Sequence, residues 1–105
     1  MSCVFCNNVH DAGTLLSEDD DAWVVRHPQG QTMIVAKRHV ENVSDLDEDE
    51  WLRIAKTWHR VERELSAERV IVLKLGVQTP HLHIHLHPFP TSASRQEIFL
   101  TLEGR

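Results

Sequence analysis

The sequence predicts an α+β fold, a small antiparallel sheet with one long helix packed on a face. Three observations carry this. Residues 81–87 alternate histidine with a large aliphatic, the two-residue period of a strand with two unlike faces. Trp51, Ile54, Ala55, Trp58, Val61 and Leu65 recur at helical spacing and form one apolar stripe. Two apolar runs, Trp23-Val24-Val25-Arg26 and Thr32-Met33-Ile34-Val35-Ala36, flank the turn-forming His27-Pro28-Gln29-Gly30 and read as an antiparallel pair. At 105 residues the chain is expected to be a single domain over 1–105, long enough for one core but not two.

Composition removes several classes of function. The net charge of −5 argues against nucleic-acid binding, which needs a dense basic surface. No apolar run is long enough for a membrane span, and the start is not a charged-then-apolar leader. The expected setting is therefore the cytoplasm, with no membrane partner. Eight histidines are a high count for this length, and no internal repeat or linker interrupts the chain.

Taken in order, Gly13 to Asp21 reads as a turn and acidic loop around a short Thr14-Leu15-Leu16 segment. His10 and His27 have no partner pattern and read as surface or loop residues. Ser44 to Glu50 starts the main helix: Asp47 suits the N-cap, and Glu48, Asp49 and Glu50 complement the positive end of the helix dipole. The apolar stripe is core against the sheet, and His59 lies off it, toward solvent. Val70 to Leu75 is a continuous apolar run, expected to be a central strand. Leu75-Gly76-Val77-Gln78-Thr79-Pro80 links it to the histidine strand, with Gly76 permitting a tight turn or a close backbone approach to a phosphate. Arg95 to Leu100 reads as a short terminal helix or strand.

The histidine strand carries the chemistry. His81, His83, His85 and His87 share one face and Leu82, Ile84 and Leu86 the other, between Pro80 and Pro88, which limit the ladder. A solvated face would carry Lys, Glu, Thr or Ser instead. At about 3.3 Å per residue the outer two histidines lie roughly 20 Å apart, so one metal ion cannot take all four. A pair spaced two apart could still chelate an ion with ligands from elsewhere, and phosphorus chemistry by a nucleophilic imidazole, with a neighbouring imidazole handling the leaving group's proton, is the other use. Cys3-Val4-Phe5-Cys6 has the spacing of a zinc knuckle, and equally of a redox pair or two idle thiols; a tetrahedral site would need two further ligands.

Pro80-His81-Leu82-His83-Ile84-His85-Leu86 resembles the His-x-His-x-His motif, with x apolar, of the histidine triad (HIT) superfamily of nucleotide hydrolases and transferases. Lys37-Arg38-His39 resembles the Pro-Lys-Arg-His segment that ends an earlier strand in these proteins, with Ala36 in place of the proline. The likeness covers roughly residues 3 to 90 and is closest to the bacterial type, which often opens with a similar cysteine pair. It implies a HIT-like fold, a homodimer, and a purine nucleotide or nucleotide conjugate as ligand. It implies hydrolysis or transfer at the α-phosphate, with His83 as nucleophile, His85 donating to the phosphate or leaving group, and His81 as first member of the triad. It implies a structural zinc on Cys3, Cys6, His39 and His81. The phosphate would be met by Gln31, Gly76, Gln78 and Thr79. The extra His87 leaves a second register open, and Pro80 before His81 favours the first. Gln31 stands where many of these enzymes have a further histidine, and the arginine that often follows the triad is absent. Both departures suit an alternative, a zinc-stabilised nucleotide-binding or interaction protein without turnover.

Overall fold

The computed structural model describes residues 3–74, 76 and 78–103. Leu75 and Val77, read from the sequence as a strand end and part of a link, lie outside the described residues. In chain order the regular elements are a one-turn helix α1 (Val4–Asn7), strands β1 (Thr14–Glu18), β2 (Ala22–Arg26) and β3 (Thr32–Ala36), helix α2 (Glu48–Leu65), strands β4 (Arg69–Leu73) and β5 (His83–Phe89), and helix α3 (Arg95–Glu103). The strands form one sheet in the order β1-β2-β3-β5-β4, antiparallel throughout. The α+β expectation holds, with the long helix on one face.

The register sorts the side chains. Ile34 pairs with Ile84 and Val24, whereas Met33 pairs with His85 and Val25. One face therefore carries Ala22, Val24, Ile34, Ala36, Leu82, Ile84 and Leu86, buried against Ile54 and Val61 of α2 with Trp51, Trp58 and Leu65 around them. The opposite face carries Val25, Met33 and Val35, covered by Phe5 and Val9 from the N-terminal segment, and continues into the histidines of β5. Each strand is thus committed to two chemistries, and a one-residue slip would exchange them.

Helix α2 begins where its cap dictates. The Asp47 carboxylate accepts from the Glu50 N–H at 2.8 Å, and the Glu50 carboxylate accepts from the Asp47 N–H at 3.3 Å. Residues 43–45 form a separate 3-10 turn, so the helix starts later than Ser44. Its middle turns are tied to the turn between β1 and β2. Thr57 Oγ1 donates to Asp19 at 2.5 Å, Arg60 pairs with Asp19 at 3.0 Å, and Arg53 pairs with Asp21. The Thr57 hydroxyl, with the Arg60 guanidinium, holds the Asp19 carboxyl below its usual range. The acidic turn is therefore a dock for the helix, a role its composition did not announce.

Three expectations are corrected. Residues 14–18 are a strand rather than part of a loop: alternation of exposed and half-buried positions lets them edge β2, with a bulge between Leu15 and Ser17. Gly13 precedes it at φ 154°, and a Cβ there would lie 2.1 Å from the Arg26 carbonyl oxygen. The apolar strand over 70–73 is at the sheet edge, not its centre. Its continuous hydrophobicity arises because Val70 and Val72 pack toward the helix layer while Ile71 and Leu73 pair with His87 and His85. Pro88 does not end β5. The β3 ladder stops at Leu86, so Pro88 sits where the strand has a neighbour on one side only. The terminal segment is a helix, anchored by buried Ile98. Among the described residues no helix is long and apolar enough to cross a membrane.

The capping geometry predicts that Asp47→Ala removes an N-cap and costs about 1 kcal/mol, a few degrees in Tm for a domain of this size. An unchanged unfolding midpoint in urea would show that the cap contributes nothing.

Candidate functional site

Four side chains from three distant segments meet beside the sheet. Cys3 and Cys6, both free thiols, flank the first turn of the chain; His39 follows β3; His81 leads into β5. Cys6 Sγ lies 3.0 Å from His39 Nδ1 and 3.4 Å from His81 Nδ1, Cys3 Sγ lies 3.3 Å from His81 Nδ1, and the two Nδ1 atoms are 3.1 Å apart. All four ligand atoms fall within 4.8 Å of one another. Donor atoms at the corners of a tetrahedral zinc site are about 3.3–3.8 Å apart, given zinc–nitrogen and zinc–sulfur distances of about 2.0 and 2.3 Å, so these four lie near enough to one another to hold a metal. The second nitrogen of His81 strengthens the case: Nε2–H donates to the Ala36 carbonyl at 2.5 Å, which leaves the Nδ1 lone pair turned to the cluster. With no cation, partial desolvation and the Cys3 thiol beside it hold the Cys6 thiol above its ordinary pKa. A bound dication reverses that and drives off the proton.

From His81 the histidine row runs along β5. The lead-in is already paired, since Leu82 donates to the Val40 carbonyl at 2.6 Å and accepts from Ala36 at 3.0 Å. His81 and His83 are 1% and 8% exposed. Phe5, between the two cysteines, packs edge-on against His81 at 5.4 Å and tilted against His83 at 5.0 Å. His83 Nδ1–H donates to the His81 carbonyl at 2.6 Å, so its free lone pair is on Nε2. The His85 ring stands 4.8 Å from His83, steeply inclined, and 6.1 Å from the nearly parallel ring of His87.

The row is held neutral. Burial lowers the pKa of His81 against the raising effect of the Ala36 carbonyl, with His39 and His83 adding to the lowering. Burial lowers His83 too, opposed by the His81 carbonyl and assisted by the Lys74 charge. Burial first, then the imidazoles of His83, His87 and His27, push His85 down to about 4.

The structure brings together most of the residues singled out from sequence. Cys3, Cys6, His39 and His81 converge as one cluster, and His83 and His85 follow on the face next to it. Gln31 is buried just before β3, with its Oε1 meeting no hydrogen-bond partner among the described residues. Gly76 takes φ 63°, the left-handed turn that its sequence position suggests. Thr79 is half-buried and its carbonyl accepts from His81 N–H at 2.8 Å, while Gln78 is exposed. Four contributors were not read from sequence. Phe5 gave a signal only as the residue enclosed by the cysteine pair. His27 is a loop residue just after β2, as its sequence position suggests, but it is half-buried and its imidazole bears on His85. The Ala36 and His81 carbonyls leave no trace in sequence at all.

A five-stranded antiparallel sheet with one covering helix and a row of oriented imidazoles defines the histidine triad class of protein. The HIT domain family model matches residues 7–90, and the chain belongs to that family. The matched stretch includes His39 and the histidine row but begins after both cysteines. Among solved structures, a HIT family hydrolase from Clostridium thermocellum superposes with TM-score 0.69 at 22% identity, covering 90% of this chain and 96% of that one. A histidine triad protein from Clostridium difficile gives 0.67 at 19%, covering 90% and 96%. A histidine triad nucleotide-binding protein from Candida albicans gives 0.60 at 17%, covering 98% and 93%. At these identities the likeness is one of fold. No curated protein sequence matches the chain.

The neutral row has a consequence for stability. The ordinary value for histidine is 6.5 and the folded value for His85 is about 4, so below pH 6.5 the unfolded chain takes up a proton that the folded protein refuses. The contribution of His85 is complete above that range and is lost as pH falls toward 4. We expect roughly 2 kcal/mol of lost stability over this interval, discounted for partial exposure, to disappear in His85→Asn. Urea unfolding followed by tryptophan fluorescence checks it; parallel pH profiles for the two proteins would refute it.

Proposed function

We propose that the protein is a nucleotide hydrolase or nucleotidyl transferase acting at an α-phosphate through a covalent nucleotidyl-His83 intermediate. The observation that supports this most is the hydrogen bond from His83 Nδ1–H to the His81 carbonyl at 2.6 Å, which presents Nε2 as a lone pair on a neutral ring. That lone pair attacks phosphorus, the bond from phosphorus to the leaving nitrogen or oxygen breaks, and the leaving group departs with the electron pair and takes a proton from His85, which the bound phosphate anion has charged. Water then attacks the same phosphorus and gives a proton back to His85, the phosphorus–nitrogen bond to His83 breaks, and the nucleoside monophosphate is released. His85 donates its N–H to the phosphate or leaving group, and a bound anion draws its pKa upward again. Backbone N–H groups near Gly76, with Gln78, Thr79 and Gln31, share the developing charge. Family membership and the nucleotide-binding description of the Candida albicans neighbour support a nucleotide, and we favour phosphoramidate or dinucleoside polyphosphate conjugates of a purine.

Zinc is our assignment for the cluster of Cys3, Cys6, His39 and His81, where it would supply a structural cross-link and no chemistry. His81 then serves twice: its ring is a ligand and its carbonyl orients His83. We carry a homodimer as part of the proposal, with edge strand β4 and half-buried Trp51 and Trp58 as the face for a second copy. One observation favours the alternative of a nucleotide-binding protein without turnover. His85 at about 4 holds no spare proton at neutral pH unless an anion restores it.

Two measurements test the reading. Protein prepared without chelator is expected to carry about one zinc per chain, and Cys3→Ser with Cys6→Ser to lose it and melt lower; metal-free wild-type protein overturns the assignment. With a fluorogenic adenosine phosphoramidate, His83→Ala is expected to abolish turnover and covalent labelling by radioactive nucleotide while the fold survives. His85→Ala is expected to slow the reaction yet leave some adduct. A label mapped to His85 refutes the assignment of the nucleophile, and absence of any label with every nucleotide tried leaves the binding protein.

A further inference from the structure

The histidine row does not end with the triad. Arg26 pairs with Thr32, Thr32 with Leu86, and His87 with Ile71. The ladder runs one step beyond the Arg26–Thr32 pair, since His27 N–H donates to the Gln31 carbonyl at 2.8 Å. Continuing the β3–β5 register by the same step sets Gln31 opposite His87. That continued register aligns His27, Gln31, His87 and Ile71 just beyond the last residues that β2, β3 and β5 pair with one another, next to the row of Val25, Met33, His85 and Leu73 and on the same face.

This row is polar where aliphatic side chains would fit the sheet more cheaply. Gln31 and His87 are each 4% exposed. Gln31 Oε1 is buried with no hydrogen-bond partner among the described residues, a state that costs stability because the acceptor is desolvated without compensation. The ring of His87 lies nearly parallel to that of His85, at 13°, and backs it. A buried orphan acceptor beside a stacked imidazole pair is out of place in a packing role. It suits a site that gains an N–H or a positive charge during its working cycle.

We propose that His87 and Gln31 are positioning residues of the site, forming with His85 a unit that receives charge. His87 fixes the plane of the His85 ring by stacking. Gln31 Oε1 accepts the additional N–H that this pair of rings carries when a phosphate anion binds at His83. The titratable groups felt at His85 are the imidazoles of His83 and His87 on β5 and of His27 at the end of β2. The facing positions on β3 and β4, Met33 and Leu73, are apolar, and Lys74 just beyond β4 acts on His83, so the imidazoles, that ammonium and the incoming phosphate set the charge of the row. The inference rests on the proposed phosphate site at His83, but its central readout does not need turnover.

Wild type, His87→Leu, Gln31→Leu and the double variant are compared, with zinc bound. The ring of His85 is followed by NMR at neutral pH as AMP is added. In wild type the ring takes up a proton on AMP binding; in His87→Leu and in Gln31→Leu it stays neutral. Melting temperature is unchanged or higher in Gln31→Leu, because an aliphatic replaces a buried acceptor that has no partner among the described residues. With the phosphoramidate substrate, either variant lowers kcat about tenfold with little change in KM, and the double variant is no worse than the poorer single one. Gln31→Glu, which keeps an acceptor, retains proton uptake. Failure of wild-type His85 to gain a proton with AMP overturns the proposal, whether or not any substrate turns over. So does undiminished uptake in both leucine variants. Proton uptake without turnover upholds it and removes only the enzymatic reading.

Discussion

Strand β5 is held between β3 and β4 with opposite chemistry on its two faces, and the rest of the molecule accommodates that. Leu82, Ile84 and Leu86 need an apolar layer, which α2 provides through Ile54 and Val61. Satisfying them turns every histidine to the other side, whatever the cost of burying imidazole there. That cost is offset by holding His81, His83 and His85 against protonation and giving an N–H a defined acceptor where one is within reach. The carbonyls of Ala36 and His81 serve His81 and His83, and both belong to backbone the sheet has already fixed.

The N-terminal segment completes the histidine face without joining the sheet. Phe5 and Val9 pack on Val25, Met33 and Val35, and Phe5 also touches His81 and His83. A one-turn helix has little stability of its own. Its attachment comes from this packing and from two thiols set against two imidazoles. His81 joins the thiol cluster to the row, because one residue offers Nδ1 to the cluster, Nε2–H to Ala36 and its carbonyl to His83. A disturbance at Cys3 or Cys6 therefore reaches the orientation of His83 through a single side chain and its own peptide.

The electrostatics follow from the same packing. Imidazoles at successive positions of one buried face discourage each other's charge, and desolvation acts in the same direction. The result is a row of lone pairs and N–H groups rather than cations, suited to waiting for an anion. Lys74, held by Asn42 at 2.9 Å, adds to the pressure on His83 from the end of β4.

The sequence by itself determined the elements whose information is periodic. The two-residue alternation over 81–87 and the helical stripe from Trp51 to Leu65 state which faces are buried, and Asp47 states where the helix begins. The cysteine pair, His39 and the triad were legible as chemistry because their residue types have few other uses in such spacing. Only the tertiary structure decided what depends on strand order and on backbone acceptors. The apolar run from Val70 has the composition of a central strand yet lies at the edge, since composition reports burial of side chains and not the number of neighbouring strands. The tautomer of His83 is set by a carbonyl, which every residue possesses and no sequence distinguishes. Gln31 and His87 are 56 positions apart in sequence and become neighbours only through the register of β3 on β5, which packing against α2 enforces.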